Sequence, residues 1–443
     1  MTYALETFSF ILLVLNSRII GEILLDWCGI IDKEYENRSS LYSAIGLVSY
    51  LCLTIIILRF LGLMKLDIAV HSAFIFLNVM FSTLLLSVKS KCYRFKITNL
   101  RLYFTNFHLL VFVIFLSTLF LPIYENDVLE YIGVSRAINL HSWNLNYPPI
   151  HSSMENPLFA NSTHPLVFHL LINLLFPEQV GSLFLRIFSS FIVFWSCNLF
   201  TKNRLVILIL YLSTPIFMSS YMGLHIDNLR VLTIFIALRL IWLYLNDQGN
   251  YNALWLALLL PSAVHSSGLL ISFVFLLSFF SLRIKILSIT LQNFKKFMLV
   301  ALIFSSQYLV NIAQFGFIVS DNTIVLNENK LSYAYYLDLS RNNLGFIDSF
   351  INSFLSLFFN IGLFGSSCAI FLLTIGKISK VNEVGIRWIR FLFLSIAYFS
   401  AFFLISIAFG ENILSKSPRY PMMILPFSIL YVSATTFKSK NEV

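Results

Sequence analysis

Apolar runs of about 17 to 25 residues recur along this chain, the length a helix needs to cross a hydrocarbon core of roughly 30 Å. Candidate spans fall at roughly 8–31, 41–63, 67–88, 105–123, 164–177, 180–200, 205–222, 230–246, 253–263, 267–282, 297–319, 346–376, 388–409 and 421–436. The 164–177 and 253–263 runs are short enough for half-helices. Apolar residues make up 58% and charged residues 12% of the 443 positions, against roughly half and a quarter in soluble domains. A water-soluble fold of this length cannot hide so much apolar surface. The expected fold is an all-α polytopic membrane protein of roughly 11 to 14 transmembrane helices, with a partly helical first external loop.

The net charge of +9 is spread as short Lys and Arg clusters between apolar runs. That is the pattern of cytoplasmic loops setting orientation, so membrane lipids are expected partners and nucleic acid is not. Lys89, Lys91, Arg94, Lys96 and Arg101 precede the 105–123 run, which sends 124–163 to the outer side. Lys377, Lys380, Arg387 and Arg390 precede 388–409, and Lys438 and Lys440 follow the last run, so 410–420 is also expected outside. The first run lacks a basic leader and a small-residue cleavage site, and it reads as a membrane helix. Its Arg18, Glu22 and Asp26 require an interfacial position or a face turned to the bundle interior, because charge at mid-membrane is costly. Cys28, Cys52, Cys92, Cys197 and Cys368 have no ligand spacing and read as apolar thiols.

Two polar stretches break the apolar pattern. The first, 124–163, carries apolar positions such as Val128, Leu129, Ile132 and Ala137 at the spacing of a surface-lying helix. The second, 320–345, contains Tyr333, Tyr335, Tyr336, Asp338 and Arg341, a composition that an aromatic belt at the interface explains. The first opens Tyr124-Glu125-Asn126-Asp127-Val128-Leu129-Glu130-Tyr131 and continues to Arg136. On a helix Asp127 would share a face with Tyr131 and lie beside Glu130. A carboxylate at a membrane boundary can serve as a general base. Helix capping by Asn126 with acidic residues in the first turn accounts for the same residues.

Downstream come Thr163-His164-Pro165-Leu166, Leu185-Arg186-Ile187-Phe188, and Gly223-Leu224-His225-Ile226-Asp227-Asn228-Leu229-Arg230, each opening an apolar run. Near the end lies Pro418-Arg419-Tyr420-Pro421-Met422-Met423-Ile424-Leu425-Pro426. In this order, over about residues 105–436, the motifs resemble the GT-C superfamily of membrane glycosyltransferases, which includes protein O-mannosyltransferases and aminoarabinose transferases. The family's Asp-Glu-x-x-Tyr loop sequence is matched at Asp127 and Tyr131, with Val128 in place of the second acid. Its His-Pro-Pro-Leu helix start appears as His164-Pro165-Leu166, one proline short.

The resemblance implies an inverting transfer of a sugar from a polyprenyl-phosphate donor to a hydroxyl on a glycan, lipid or protein. It places the site on the external face of a multi-pass protein, with a bacterial plasma membrane the expected setting. Such chemistry needs a base for the acceptor proton and cations for the departing phosphate. Asp127 and Glu130 are the candidate catalytic carboxylates, and Arg136, Arg230, Lys416 and Arg419 the candidate phosphate ligands. Tyr131, His164, His225, Asp227 and Tyr420 are expected to line or support the cavity. No cofactor is indicated with certainty, and a divalent cation stays open. Residues 1–104 lie outside the match as additional helices, ahead of a catalytic region spanning 105–443. His265, with Ser266, Ser267 and Gly268 after Pro261, reads as a turn or as a polar lining. Two rival readings are a polysaccharide polymerase acting on lipid-linked glycans and a lipid-linked oligosaccharide flippase, but no internal repeat supports a transporter.

Overall fold

A computed structural model describes residues 2–30, 35–60, 165–175, 181–200, 226–315, 323–326, 329–332, 383–408 and 423–436, with isolated positions between 76 and 113 and at 204–208. These residues are helical apart from one hairpin. The helices are α1 (Thr2–Trp27), α2 (Tyr35–Phe60), α3 (Val167–Leu175), α4 (Gly181–Asn198), α5 (Ile226–Leu245), α6 (Tyr251–Val264), α7 (Gly268–Ser281), α8 (Ile286–Gln292), α9 (Phe294–Phe315), α10 (Glu383–Ala408) and α11 (Leu425–Thr436). Among the described residues, three segments are long and apolar enough to cross a membrane: Ser39–Arg59, Ile226–Leu245 and Gly385–Phe402. A fourth counts if α7 and α8, bent by 106° at their junction, form one broken span. The short runs foreseen at 164–177 and 253–263 are α3, with 9 residues, and α6, with 14. At 1.5 Å per residue they reach only about 14 and 21 Å.

The departure from an all-helical chain is an antiparallel pair, β1 (Thr323–Leu326) and β2 (Asn329–Ser332), in register from Thr323↔Ser332 to Leu326↔Asn329. It occupies the start of the polar stretch at 320–345. The β-branched run Thr323-Ile324-Val325 suits a strand, and two residues of chain separate β1 from β2, the length of a tight hairpin connection.

The exposed faces identify the solvent. On α9 the outward residues include Met298, Leu302, Leu309 and Ile312, and on α7 they include Leu269, Phe273 and Phe280. These recur at three-, four- and seven-residue spacing, so each helix presents an apolar stripe outward. Polar and charged side chains such as Asp227, Arg230 and Arg239 are buried instead. That inversion suits hydrocarbon and would be untenable in water.

Helix α5 sits centrally, touching α2, α4, α6, α10 and α11, and 89% of its apolar window is buried against 39% for that of α10. Arg239, midway along α5, lies 4.3 Å from the centroid of Trp242 and 5.6 Å from that of Phe200. The rings' negative faces offset part of the charge's desolvation. Phe275 and Phe279 of α7 meet Phe391 of α10 at 5.8 and 5.6 Å, and Phe275 meets Phe427 of α11 at 5.7 Å, joining these three helices.

Helices α1 and α2 approach until backbones touch. A Cβ on Gly46 would lie 1.5 Å from the Ser17 carbonyl oxygen, and one on Gly21 would lie 1.7 Å from that of Tyr42. Small residues let helices close in lipid, where apolar side chains gain nothing by leaving the tails. The charges on α1 take the bundle-facing option for Arg18, which pairs with Glu22 at 3.6 Å and donates to Ser39 Oγ of α2 at 3.2 Å. Asp26 is exposed at the helix end. Cys28, Cys52 and Cys197 are buried free thiols.

Candidate functional site

Two ends of the bundle differ in chemistry. One is built from the C-termini of α1, α5 and α7. Gly29, at φ +60°, closes α1 with the bonds Ile30 N–H to Leu25 O and Gly29 N–H to Asp26 O. This Schellman pattern satisfies the last carbonyls, and it recurs at Asp247 (φ 56°) for α5 and Arg283 (φ 59°) for α7. The side-chain amides of Asn250 and Asn252 donate to Trp27 O at 3.2 and 2.8 Å, tying the α5–α6 connection to α1. Around them stand Trp27, Tyr251, Trp255 and Phe297 in ring contact.

The other end holds the α5 N-terminus and the α6–α7 turn, and here polar groups meet inside the apolar bundle. Asp227 lies in the first turn of α5, where a carboxylate is favoured by the exposed amides. Its Oδ1 accepts from Arg230 Nη1 three residues on, with side chains only 3% and 7% exposed respectively. Arg230 Nη2 donates to Ser267 Oγ at 2.7 Å. The Ser267 amide in turn donates to His265 Nδ1 at 3.1 Å, and Ser267 Oγ lies 2.9 Å from the same nitrogen. Accepting from an amide keeps a proton off Nδ1, so a neutral ring carries its proton on Nε2.

The turn's sequence explains its place. Pro261 removes an amide near the end of α6, and a Cβ on Gly268 would lie 2.0 Å from the Pro261 carbonyl oxygen, so the reversal closes only over glycine. Hydroxyls take up carbonyls around this break: Ser272 Oγ donates to Leu258 O, and Tyr308 Oη donates to Ser262 O at 2.6 Å. Beside Tyr308, Gln307 accepts from Arg59 at the end of α2. In a hydrocarbon medium such side chains replace the water a broken helix would otherwise need.

Of the residues singled out in the sequence, Asp227 and Arg230 are brought into one buried ion pair. Asp127, Glu130, Tyr131, Arg136, His164, His225, Lys416, Arg419 and Tyr420 lie outside the described residues, as do the 124–163 loop and the runs at 346–376 and most of 67–88, 105–123 and 205–222. The 265–268 segment is a turn, and its Ser267 also joins the polar cluster. Sequence reasoning missed that Ser267 is the partner of Arg230, since a separation of 37 residues carries no local signal. Arg230 was assigned to phosphate, yet both of its terminal nitrogens are engaged by protein groups. An anion reaching it would have to compete with Asp227. The pair's charges cancel, so the bundle end carries a fixed dipole. Among the described residues, no group of three or more His, Cys, Asp or Glu is placed to hold a metal ion.

No family model, no curated protein and no solved structure matches this chain.

Proposed function

We propose that this protein is a multi-pass membrane glycosyltransferase of the GT-C kind, with roughly 11 to 14 helices, moving a sugar from a polyprenyl-phosphate donor to a hydroxyl acceptor with inversion. The order of motifs in the sequence motivates the reading. The observation that carries it is the buried Asp227–Arg230–Ser267 bridge at one end of the apolar bundle. Ionisable groups inside a membrane protein are expensive and are retained where they serve a site.

Orientation follows from charge. Arg283, Lys285, Lys295 and Lys296 cluster at the end that holds Trp27 and Asn250, and basic clusters favour the cytoplasmic side, so in this proposal that end lies in the cytoplasm. The 20 residues of α5 span about 30 Å, so Asp227 and Ser267 then sit at the outer face, the side to which the 124–163 loop is assigned. In this reading Asp127 takes the acceptor proton, with Glu130 beside it. Arg136, Lys416 and Arg419 hold the donor phosphate, with a divalent cation as an optional aid. Arg230, already bonded to Asp227 and Ser267, is a positioning residue that ties α5 to the α6–α7 turn beneath the site.

The test is transfer by purified full-length protein, given polyprenyl-phosphate sugars labelled in the sugar and a panel of glycan, lipid and peptide acceptors. Label should leave the lipid and appear on an acceptor, and Asp127→Asn should slow this at least about a hundredfold, the usual contribution of a general base. Donor that crosses the bilayer with its sugar–phosphate bond intact would instead make the protein a flippase.

A further inference from the structure

The segment from Arg283 to Leu302 has a composition that the catalytic reading does not use. It leaves α7 through the left-handed residue Arg283, runs into α8 at 106° to α7, and re-enters the bundle as α9. With α7 packed upright in the bundle against α6 and α10, that angle turns α8 across the bundle axis, along the membrane surface. Its inner face is fixed: Ile286 is buried, Thr290 Oγ1 accepts from Trp255 Nε1 at 3.0 Å, and Asn293 Oδ1 accepts from Tyr251 Oη at 3.1 Å. Its outer face mixes large apolar residues, Leu287 58% and Leu291 74% exposed, with exposed Ser288 and Gln292, and is followed by exposed Phe294.

Bracketing that face are four exposed cations, Arg283 and Lys285 before α8 and Lys295 and Lys296 after it. From Gln248 to Ser320 the sequence contains no Asp or Glu, so nothing within the segment neutralises them. Asp26 and Asp247, at the ends of α1 and α5, and Glu36 and Glu383, in the first turns of α2 and α10, are the acidic positions of the described helices at this end of the bundle. An apolar face flanked by basic residues matches the chemistry of a leaflet surface, with acyl chains below and phosphates level with the flanks. The partly exposed aromatic residues Trp27 and Tyr251 stand at the same level, as at a membrane–water boundary.

We propose that α8 and its flanks form a binding site for anionic phospholipid headgroups on the cytoplasmic leaflet. Leu287, Leu291 and Phe294 enter the acyl boundary, and Arg283, Lys285, Lys295 and Lys296 hold the phosphates. This site is separate from the sugar-transfer site and lies at the opposite end of α5.

The experiment is lipid retention by the full-length protein in detergent, counted by native mass spectrometry during titration with phosphatidylglycerol or phosphatidylcholine. Wild type should retain phosphatidylglycerol at least about tenfold more strongly, since each basic residue near a surface adds appreciably to anionic-lipid binding. R283Q/K285Q/K295Q/K296Q should bring the two lipids to near parity. Spin labels at Leu287→Cys and Leu291→Cys in liposomes should show oxygen accessibility typical of acyl chains, which a misfolded or solvent-exposed segment would not. An unchanged lipid preference in the quadruple variant, or aqueous accessibility at both labels, would overturn the proposal. So would displacement of phosphatidylglycerol by polyprenyl phosphate or inorganic phosphate at equal concentration, since the site would then serve the donor or any phosphate.

Discussion

Replacing Asp227 by Asn keeps the side chain's shape and removes its charge, leaving the Arg230 guanidinium inside the bundle. The side chains of this pair are 3% and 7% exposed, which places it far from the surface regime, where an ion pair is worth about 0–1 kcal/mol. Removing one member of a buried pair costs about 3–5 kcal/mol, because the remaining charge has no counterion. Ser267 keeps its bond to Arg230 and is half-buried near the helix ends, so the lower figure of about 3 kcal/mol applies, roughly a hundredfold in the folding equilibrium. Arg230→Met should cost less, since a lone buried carboxylate escapes by taking up a proton whereas a guanidinium stays charged. The double variant Asp227→Asn/Arg230→Met should return to within about 1 kcal/mol of wild type, since a buried pair replaced by neutral groups of similar volume is close to neutral. The assay is SDS-titrated unfolding of the purified protein in mixed micelles, read by tryptophan fluorescence. If Asp227→Asn stayed within about 0.5 kcal/mol of wild type, or the double variant were no better than that single one, the pair would be acting as an ordinary surface contact.

Gly46→Ala should open the α1–α2 contact, because the added Cβ would lie 1.5 Å from the Ser17 carbonyl; a loss of about 1–3 kcal/mol or more is expected in the same assay. Asp247→Gly should stabilise by about 0.5–1 kcal/mol, by relieving a left-handed backbone at φ 56° outside the helices. Cys28, Cys52 and Cys197 are buried, so in a Cys92→Ser/Cys368→Ser background maleimide at pH 8 should label the chain only on unfolding.

The sequence by itself determined the class of protein and most helix positions. Apolar runs of bilayer length leave the backbone one way to satisfy its polar groups in lipid, so 41–63, 230–246 and 388–409 could be read as helices from hydropathy alone. The shortness of 253–263 was visible because Asn250 and the Pro261–Gly268 stretch punctuate it. His225 and Asp227 were legible as a polar helix entrance, but the pairing of Asp227 with Arg230, read in sequence as a phosphate ligand, appears only in the folded chain. The sequence could not show that Ser267 would close on Arg230 or that Gln307 would meet Arg59, because those contacts join residues brought together only by packing.

Tertiary structure also decided the fate of the charges. Arg18 faces α2 because Gly21 and Gly46 let the two backbones touch, and Arg239 rests on Trp242 and Phe200. The 283–296 stretch, which lies between the runs at 267–282 and 297–319, turns by 106° into a helix that exposes Leu287 and Leu291. Local composition sets which segments leave water, while the partner of a buried charge depends on which helices are neighbours, and that is settled only when the bundle closes.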